Sequence, residues 1–367
     1  MCWHVLARKV QGLAPGIYHD DPGHARLDVL GPLPAASGAP CADDADAAVV
    51  LTSVFRRTGY KYKDRAYRYV VADAGHLLEN LRVASQSAGL RATLAGRFDE
   101  ARLARTLGVD GVEEGVLAVM ALRRDNAAPP ALSGPRAPPA ASAELSGPRF
   151  VAPAATSAKA TGVTGAVHQA TSLQLADAQA GSIALPAPQA ADAEVRRVIG
   201  ERRSQRRFTN KPVPLGALSS KLADMVQPNQ LSEAIRINLV VNRVQGLAPG
   251  VYRYDARHFL TRVRSGDFAG AAEAAALSQQ VIGDAAVVLV LSAERGPLLA
   301  EGARGYRHGF LEAGLIGERW LLGAVARRLG ACPVGAFYDD EAAALVGIDM
   351  RHEWVLHFAA LGLPAAD

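Results

Sequence analysis

Cysteine is scarce in this sequence. Cys2, Cys41 and Cys332 are the only three among 367 residues, and they stand far apart. No Cys-x-x-Cys or Cys/His cluster occurs, so no metal site is expected, and a reducing compartment fits. Aromatic residues make up only 6%. No apolar run approaches the length of a membrane span, so no membrane association is expected. The opening Met1-Cys2-Trp3-His4 has neither the basic nor the apolar region of a signal peptide, and a cytoplasmic protein is expected. A massed basic tract is missing as well. The net charge of +4 and pI near 9.0 come from scattered Arg pairs. They read as a solvated basic surface that weakly favours anionic ligands, with no nucleic-acid partner.

What is present is a long repeat. Val10-Gln11-Gly12-Leu13-Ala14-Pro15-Gly16-Ile17-Tyr18 returns as Val244-Gln245-Gly246-Leu247-Ala248-Pro249-Gly250-Val251-Tyr252, with eight of nine residues identical. Pro presets one backbone angle and Gly tolerates a positive one, so this is loop chemistry between strands. The apolar segments Trp3–Leu6 and Ile235–Val241 precede it, which predicts a strand-loop-strand hairpin in each copy. Further matches follow in the same order. Asp46–Leu51 pairs with Asp284–Leu289, Arg65–Arg68 with Arg304–Arg307, Gly75–Glu79 with Gly314–Glu318, Gly96–Phe98 with Gly335–Phe337, and Leu107–Asp110 with Val346–Asp349. A period this long indicates a duplicated domain rather than a solenoid. Two copies of one domain are expected to pack about a pseudo-two-fold axis.

The predicted organisation has three parts. Residues 1–124 form the first copy, incomplete on its N-terminal side. Residues 125–190 form an Ala/Pro-rich linker, with Val163–Leu173 as a possible helical turn. Residues 191–367 form the second copy. Helices are predicted through Leu77–Ala84 up to Gly89, at 192–201, at 215–225, at 268–279 and at 305–329. Strands are predicted at 116–122, 286–291 and 354–361. The fold class is α+β, sheets flanked by helices.

Three stretches carry candidate chemistry. Arg202-Arg203-Ser204-Gln205-Arg206-Arg207-Phe208 is the densest cationic loop. Its Arg forks suit a phosphate, and a solvated helix end is the alternative. Gly330-Ala331-Cys332-Pro333-Val334-Gly335 follows the long helix. It reads as a loop whose amides could approach a flat ligand, or as a plain turn into a strand. Lys61-Tyr62 can serve proton transfer, or lie in a surface turn. His76, Glu312 and Cys332 read as packing residues.

Together these stretches resemble the flavin nitroreductase superfamily, in its SagB-type azoline-dehydrogenase branch. The resemblance rests on Arg202–Phe208, on the doubled Gly-Leu-Ala-Pro-Gly loop, on Tyr67-Arg68-Tyr69 with Ala74-Gly75-His76, and on Cys332-Pro333-Val334-Gly335. It covers both copies but not the linker. It implies a nitroreductase-like fold, two copies forming a pseudo-dimer, with FMN held mainly by the second copy. Arg202, Arg203, Ser204 and Arg206 would hold the phosphate, ribityl chain and pyrimidine edge. Pro333, Val334 and Gly335 would lie by the flavin N5 atom. Lys61 and Tyr62, replaced in the second copy by Ala300 and Glu301, would be the catalytic pair. The first copy has no Arg-Arg-Ser-x-Arg, so one flavin per chain is expected.

The implied activity is oxidation of a thiazoline or oxazoline to the azole in natural-product biosynthesis. The substrate would be peptide- or carrier-bound, and dioxygen the final acceptor. Two other functions fit less of the sequence. A general NAD(P)H-dependent flavin nitroreductase would not need Lys61-Tyr62. A non-catalytic partner-binding subunit would explain why the family's Pro-Ser-Gly-Gly-like loop is only loosely matched by Gln227–Glu233 and missing from the first copy.

Overall fold

In a computed structural model, residues 1–124 and 182–365 are described. The predicted helical turn at 163–173 lies outside them, as does most of the linker. The first half runs β1 Cys2–Ala7, β2 Gly16–Asp21, β3 Arg26–Gly31, α1 Pro40–Asp43, β4 Ala47–Val54, α2 Phe55–Tyr62, α3 Ala66–Ser87, β5 Leu90–Leu94, α4 Glu100–Leu107 and β6 Glu114–Arg124. The second half runs β7 Ile183–Ala184, α5 Val195–Glu201, α6 Leu215–Met225, β8 Ile235–Val241, β9 Gly250–Asp255, β10 Phe259–Ser265, α7 Ala269–Ala275, α8 Gln280–Gly283, β11 Val287–Glu294, α9 Arg295–Leu299, α10 Ala303–Ala326, β12 Gly330–Val334, α11 Asp339–Val346 and β13 Glu353–Gly362.

Each half builds an antiparallel sheet with the same neighbour order. The first is β3-β2-β1-β4-β6-β5, and the second is β10-β9-β8-β11-β13-β12 with β7 added outside β10. The repeated loop closes the same hairpin twice. Gly12 and Gly246 sit at φ of 80° and 78°. The Tyr18 hydroxyl donates to the Ala14 carbonyl, and the Tyr252 hydroxyl to the Ala248 carbonyl, each at 2.7 Å. Even the irregularities match: β4 slips against β6 between Leu51 and Thr52, and β11 against β13 between Leu291 and Ser292. This is an α+β fold in two copies of the same topology.

The halves meet along α3 and α10. Gly75 and Gly314 mark their crossing. A Cβ on Gly75 would come within 2.8 Å of the Gly314 Cα, and one on Gly314 within 2.9 Å of the Gly75 Cα. Around this point the contacts are reciprocal. Arg68 Nε donates to the Tyr306 hydroxyl at 2.7 Å, and Arg307 Nε to the Tyr67 hydroxyl at 3.0 Å. Arg65 and Arg68 pair with Asp339, while Arg304 and Arg307 pair with Glu100. A single apolar core, including Val71 and Leu78 with Leu311, Leu315 and Trp320, runs through both halves. Separate apolar clusters back the outer face of each sheet. The pseudo-dimer is therefore one folding unit rather than two tethered ones.

Some segments differ from their sequence patterns. The Ala-rich helix expected at 268–279 ends at Ala275, because Leu277 and Ser278 take positive φ and start a turn into α8. Gly330–Val334 is a strand, not a loop. It is the last strand of its sheet, where the missing Pro333 N–H costs no ladder bond. The C-terminal end of the expected linker is built into the second sheet. Ile183 and Ala184 pair with Leu260 and Phe259, and Leu185 is buried.

Lys221 on α6 is fully buried against α10. Its Nζ donates to the Trp320 carbonyl and lies 4.2 Å from the Trp320 ring centre. Burial pushes the ammonium well below its ordinary pKa, against the pull of Asp224. Between its lowered folded pKa and its ordinary value the unfolded chain therefore binds more protons here, and over that window this lysine makes stability rise with pH. Lys221→Met is expected to stabilise the fold by about 1–3 kcal/mol at pH 7. The gain should shrink as pH climbs towards the ordinary lysine range. Urea unfolding at pH 7 and pH 9.5 checks both the sign and the trend.

Candidate cofactor and proton-transfer site

The cationic loop follows α5 and is fastened along the end of the second sheet. The Gln205 N–H donates to the Ala331 carbonyl at 2.9 Å, and Thr209 N–H to Leu363 at 2.9 Å. Phe208 packs where a Cβ on Gly362 would sit, and Gln205 where one on Gly330 would. Two glycines thus let the loop lie directly on β12 and β13. Gln205, the inward residue of the loop, is buried, while Arg203, Arg206 and Arg207 are exposed. Ser204 hydrogen-bonds the Cys332 thiol, and the Arg206 charge also acts on it. Burial outweighs both and pushes that thiol up, so Cys332 is a neutral packing residue. Arg202 turns inward, with Nε 3.4 Å from the buried Glu318 carboxylate. Ser204 and Arg206 are thereby placed beside Cys332, while Arg202 faces Glu318.

Lys61 and Tyr62 end α2, a helix with no buried residue, rather than lying in a turn. The chain then breaks at Lys63, whose φ of 49° is unusual for a residue with a side chain. Lys61 Nζ lies 5.1 Å from the centre of the Tyr62 ring. Tyr62 meets Tyr69 edge-on, ring centres 4.9 Å apart at 87°. Tyr69 in turn lies against Gly335, its ring atoms 3.0 and 3.2 Å from where a Cβ would be. Burial pushes the Tyr69 phenol up, so it stays protonated. Lys61, Tyr62, Tyr69 and Gly335 therefore form one line of contact running from the first half to the second.

Tyr69 was not singled out from the sequence as a site residue, although a signal existed. Its matched residue in the second copy is His308, while the neighbouring Tyr67-Arg68 and Tyr306-Arg307 stay alike. The mirror position is built differently. Arg304 Nε donates to the Gly96 carbonyl at 2.8 Å and its guanidinium lies over Phe98. His308 there is buried, next to Glu301. The two halves offer unlike surroundings at Gly96 and Gly335, whatever their common fold.

A shallow groove of about 370 Å³ also borders α2, lined by Phe55, Arg56, Gly59, Lys63, Tyr67 and Val112 among others. It contains none of the predicted site residues. Among the described residues no group of His, Cys, Asp and Glu is gathered for a metal, and no helix is long and apolar enough to cross a membrane.

The donors of the cationic loop are of the kind a flavin mononucleotide needs. Three arginines and a serine stand within five residues. Arg203 and Arg206 are exposed, and a glycine without a Cβ lies against a flat ring. Guanidinium forks and a hydroxyl are what a phosphate monoester and polyol chain need.

Comparison with known proteins gives the family. The family model described as "Nitroreductase family" matches residues 25–122 and 199–362, one block in each half. A relative from Methanocaldococcus jannaschii, described as a nitroreductase, is 31% identical over 157 residues, covering 39% of this chain and 79% of its own length. A crystal structure from Anabaena variabilis, also described as a nitroreductase, superposes with a TM-score of 0.79 at 24% identity, over 99% of this chain and 80% of that one. A Desulfovibrio desulfuricans structure solved with FMN gives a TM-score of 0.35 at 20% identity, over 48% of this chain and 88% of its own.

Proposed function

The chain belongs to the nitroreductase family, and from that premise we propose that it is an FMN-dependent dehydrogenase that converts azoline rings to azoles on a peptide- or carrier-bound substrate. The observation that carries this proposal is the contact line from Lys61 and Tyr62 through Tyr69 to Gly335. It supports the reading by joining a candidate proton acceptor of the first half to Gly335 of the second, three residues after Cys332, which Ser204 and Arg206 neighbour. Nothing matched stands at the mirror position, where Ala300, Glu301 and His308 replace Lys61, Tyr62 and Tyr69.

Aromatising an azoline removes one ring proton and one hydride. Bound FMN supplies the hydride acceptor, and dioxygen can take the electrons onward as hydrogen peroxide. The residues of this chain do the rest. Arg202, Arg203, Ser204 and Arg206 bind the phosphate, ribityl chain and pyrimidine edge. Gly335, with Pro333 and Val334 before it, provides a backbone surface beside the ring. Tyr62 would take the substrate proton as its phenolate, which the Lys61 ammonium over the ring face stabilises before the transfer, and would end as the neutral phenol. Residues 1–124 and 191–367 are the two duplicated halves in this proposal, and one flavin binds per chain.

A general flavin reductase is the second reading, because the relative matched at 31% identity is described as a nitroreductase. Freshly purified protein is expected to be yellow and to release about one FMN per chain on denaturation. Arg206→Ala should weaken FMN binding by roughly tenfold, as loss of a charge-assisted hydrogen bond does. Riboflavin binding should hardly change. Colourless protein that takes up no FMN on titration would end the proposal.

A further inference from the structure

Glu318, in the middle of α10, is a carboxylate with almost no solvent contact, 1% exposed. A buried carboxylate is costly unless donors surround it. Glu318 has two, and both come from the other half. His76 Nδ1 is 2.7 Å from Oε2, and Asn80 Nδ2 donates to Oε1 at 2.9 Å, both from α3. Its charge is met by Arg202, whose Nε is 3.4 Å from Oε1 in an ion pair. Nε is the inner nitrogen of the guanidinium, and it is the atom that meets Glu318. Among the described residues, no other side chain pairs with Arg202.

The mirror residue makes the contrast. Glu79 is equally buried, and its partners are Arg82 from its own helix and Arg319 from α10. Two arginines saturate it inside the helix interface, and it reaches no cationic loop. Glu318 has no helix arginine. His76 holds Oε2, while Asn80 and Arg202 share Oε1. His76 is itself positioned. Its ring lies 5.1 Å from that of His357 on β13, and both Nε2 atoms come within 3.0 Å of where a Cβ on Gly317 would be. Only glycine at 317 leaves room for the pair.

We propose that Glu318 is a positioning residue for Arg202. Held by His76 and Asn80 of the first half, it fixes the inner edge of the Arg202 guanidinium so that the outer fork meets the anionic tail of the cofactor. This rests on the FMN reading above and extends it: cofactor binding by the second half depends on side chains lent by the first.

The test is a double-mutant cycle read by flavin fluorescence quenching on apo-protein. Glu318→Gln and Arg202→Ala should each raise the FMN dissociation constant by about tenfold, the range of a hydrogen bond to a charged group. The double variant should be no weaker than Arg202→Ala alone, because the two residues act as one unit. Riboflavin, which lacks the phosphate, should bind all four proteins alike. A merely structural role for Glu318 would weaken both ligands. Should Glu318→Gln fail to fold, Asn80→Ala replaces it in the same cycle, with a loss of several-fold expected. Additive losses, or unchanged FMN binding by the Glu318 or Asn80 variant, would overturn the positioning role alone. Failure of the wild-type protein to bind FMN would overturn the cofactor reading and this inference with it.

Discussion

Gly314→Val is expected to destabilise the protein by about 3 kcal/mol or more and to lower its unfolding midpoint accordingly. The reason lies in how the helices cross. Gly314 on α10 faces Gly75 on α3 with no side chain between them, and a Cβ there would also run into the Ala72 carbonyl oxygen. The obstacle is backbone on both sides, so no rotamer can relieve it. The helices must move apart. Moving them would open a core shared by both halves and lengthen the reciprocal bonds of Arg68 to Tyr306 and Arg307 to Tyr67. Gly75→Val should cost as much, because its Cβ meets the Leu311 carbonyl in the same way. Gly200→Ala is the control: a Cβ there meets nothing within 4 Å, so stability should change little. Urea unfolding followed by circular dichroism reads all three. A Gly314→Val protein that unfolds at the wild-type urea concentration would show that the halves do not depend on this crossing.

The repeat made much of this architecture readable from the sequence, because a repeat shows one fold's requirements twice. The hairpin at Gly12 and Gly246 could be placed because turn chemistry is local: Pro and Gly state their backbone angles wherever they stand. Leu215–Met225 was legible as a helix for the same kind of reason. What depends on distant neighbours was not legible. Ala-rich sequence continues past Ala275, yet helix α7 does not, since Leu277 and Ser278 bend the chain towards β11. Cys332-Pro333-Val334-Gly335 has the composition of a loop, and only its place at the end of a sheet lets Pro333 sit in a strand. Two residues, Ile183 and Ala184, are too few to show a period, so β7 was hidden in the expected linker.

The candidate site divides in the same way. The residue types were visible in the sequence: clustered arginines, the Lys61-Tyr62 pair missing from the second copy, and the Pro-Val-Gly stretch. Their assembly was not. Tyr69 joins Tyr62 to Gly335 across more than 260 positions of chain, and nothing local to Tyr69 announces it. Glu318 looks like one more helix glutamate until its partners are seen: two hydrogen bonds from the other half and an ion pair to Arg202.

Tyr62→Phe is expected to lower azoline oxidation by about 10²–10⁴-fold, the usual contribution of a positioned acid or base, while FMN stays bound. The substitution is informative because it removes one atom. The ring that packs edge-on against Tyr69 remains, so the contact line to Gly335 is kept and only the hydroxyl is lost. Lys61→Ala should cost a comparable factor, because the ammonium over the Tyr62 ring is then missing. Lys61→Arg, which retains a cation at that position, should recover part of the loss. The measurement is single-turnover bleaching of the bound flavin by a thiazoline peptide under anaerobic conditions, with flavin content read from the absorbance spectrum of each variant. A nicotinamide-driven reduction of a nitroarene, run on the same samples, supplies the contrast. If the chain is an azoline dehydrogenase, both substitutions suppress the first reaction and leave the second near wild type, since hydride transfer from a nicotinamide needs no base on the substrate. If Tyr62→Phe and Lys61→Ala oxidise the thiazoline within about threefold of wild type, short of the range for a positioned base, the pair is a surface feature of α2. The family's general reductase chemistry then becomes the better account of this chain.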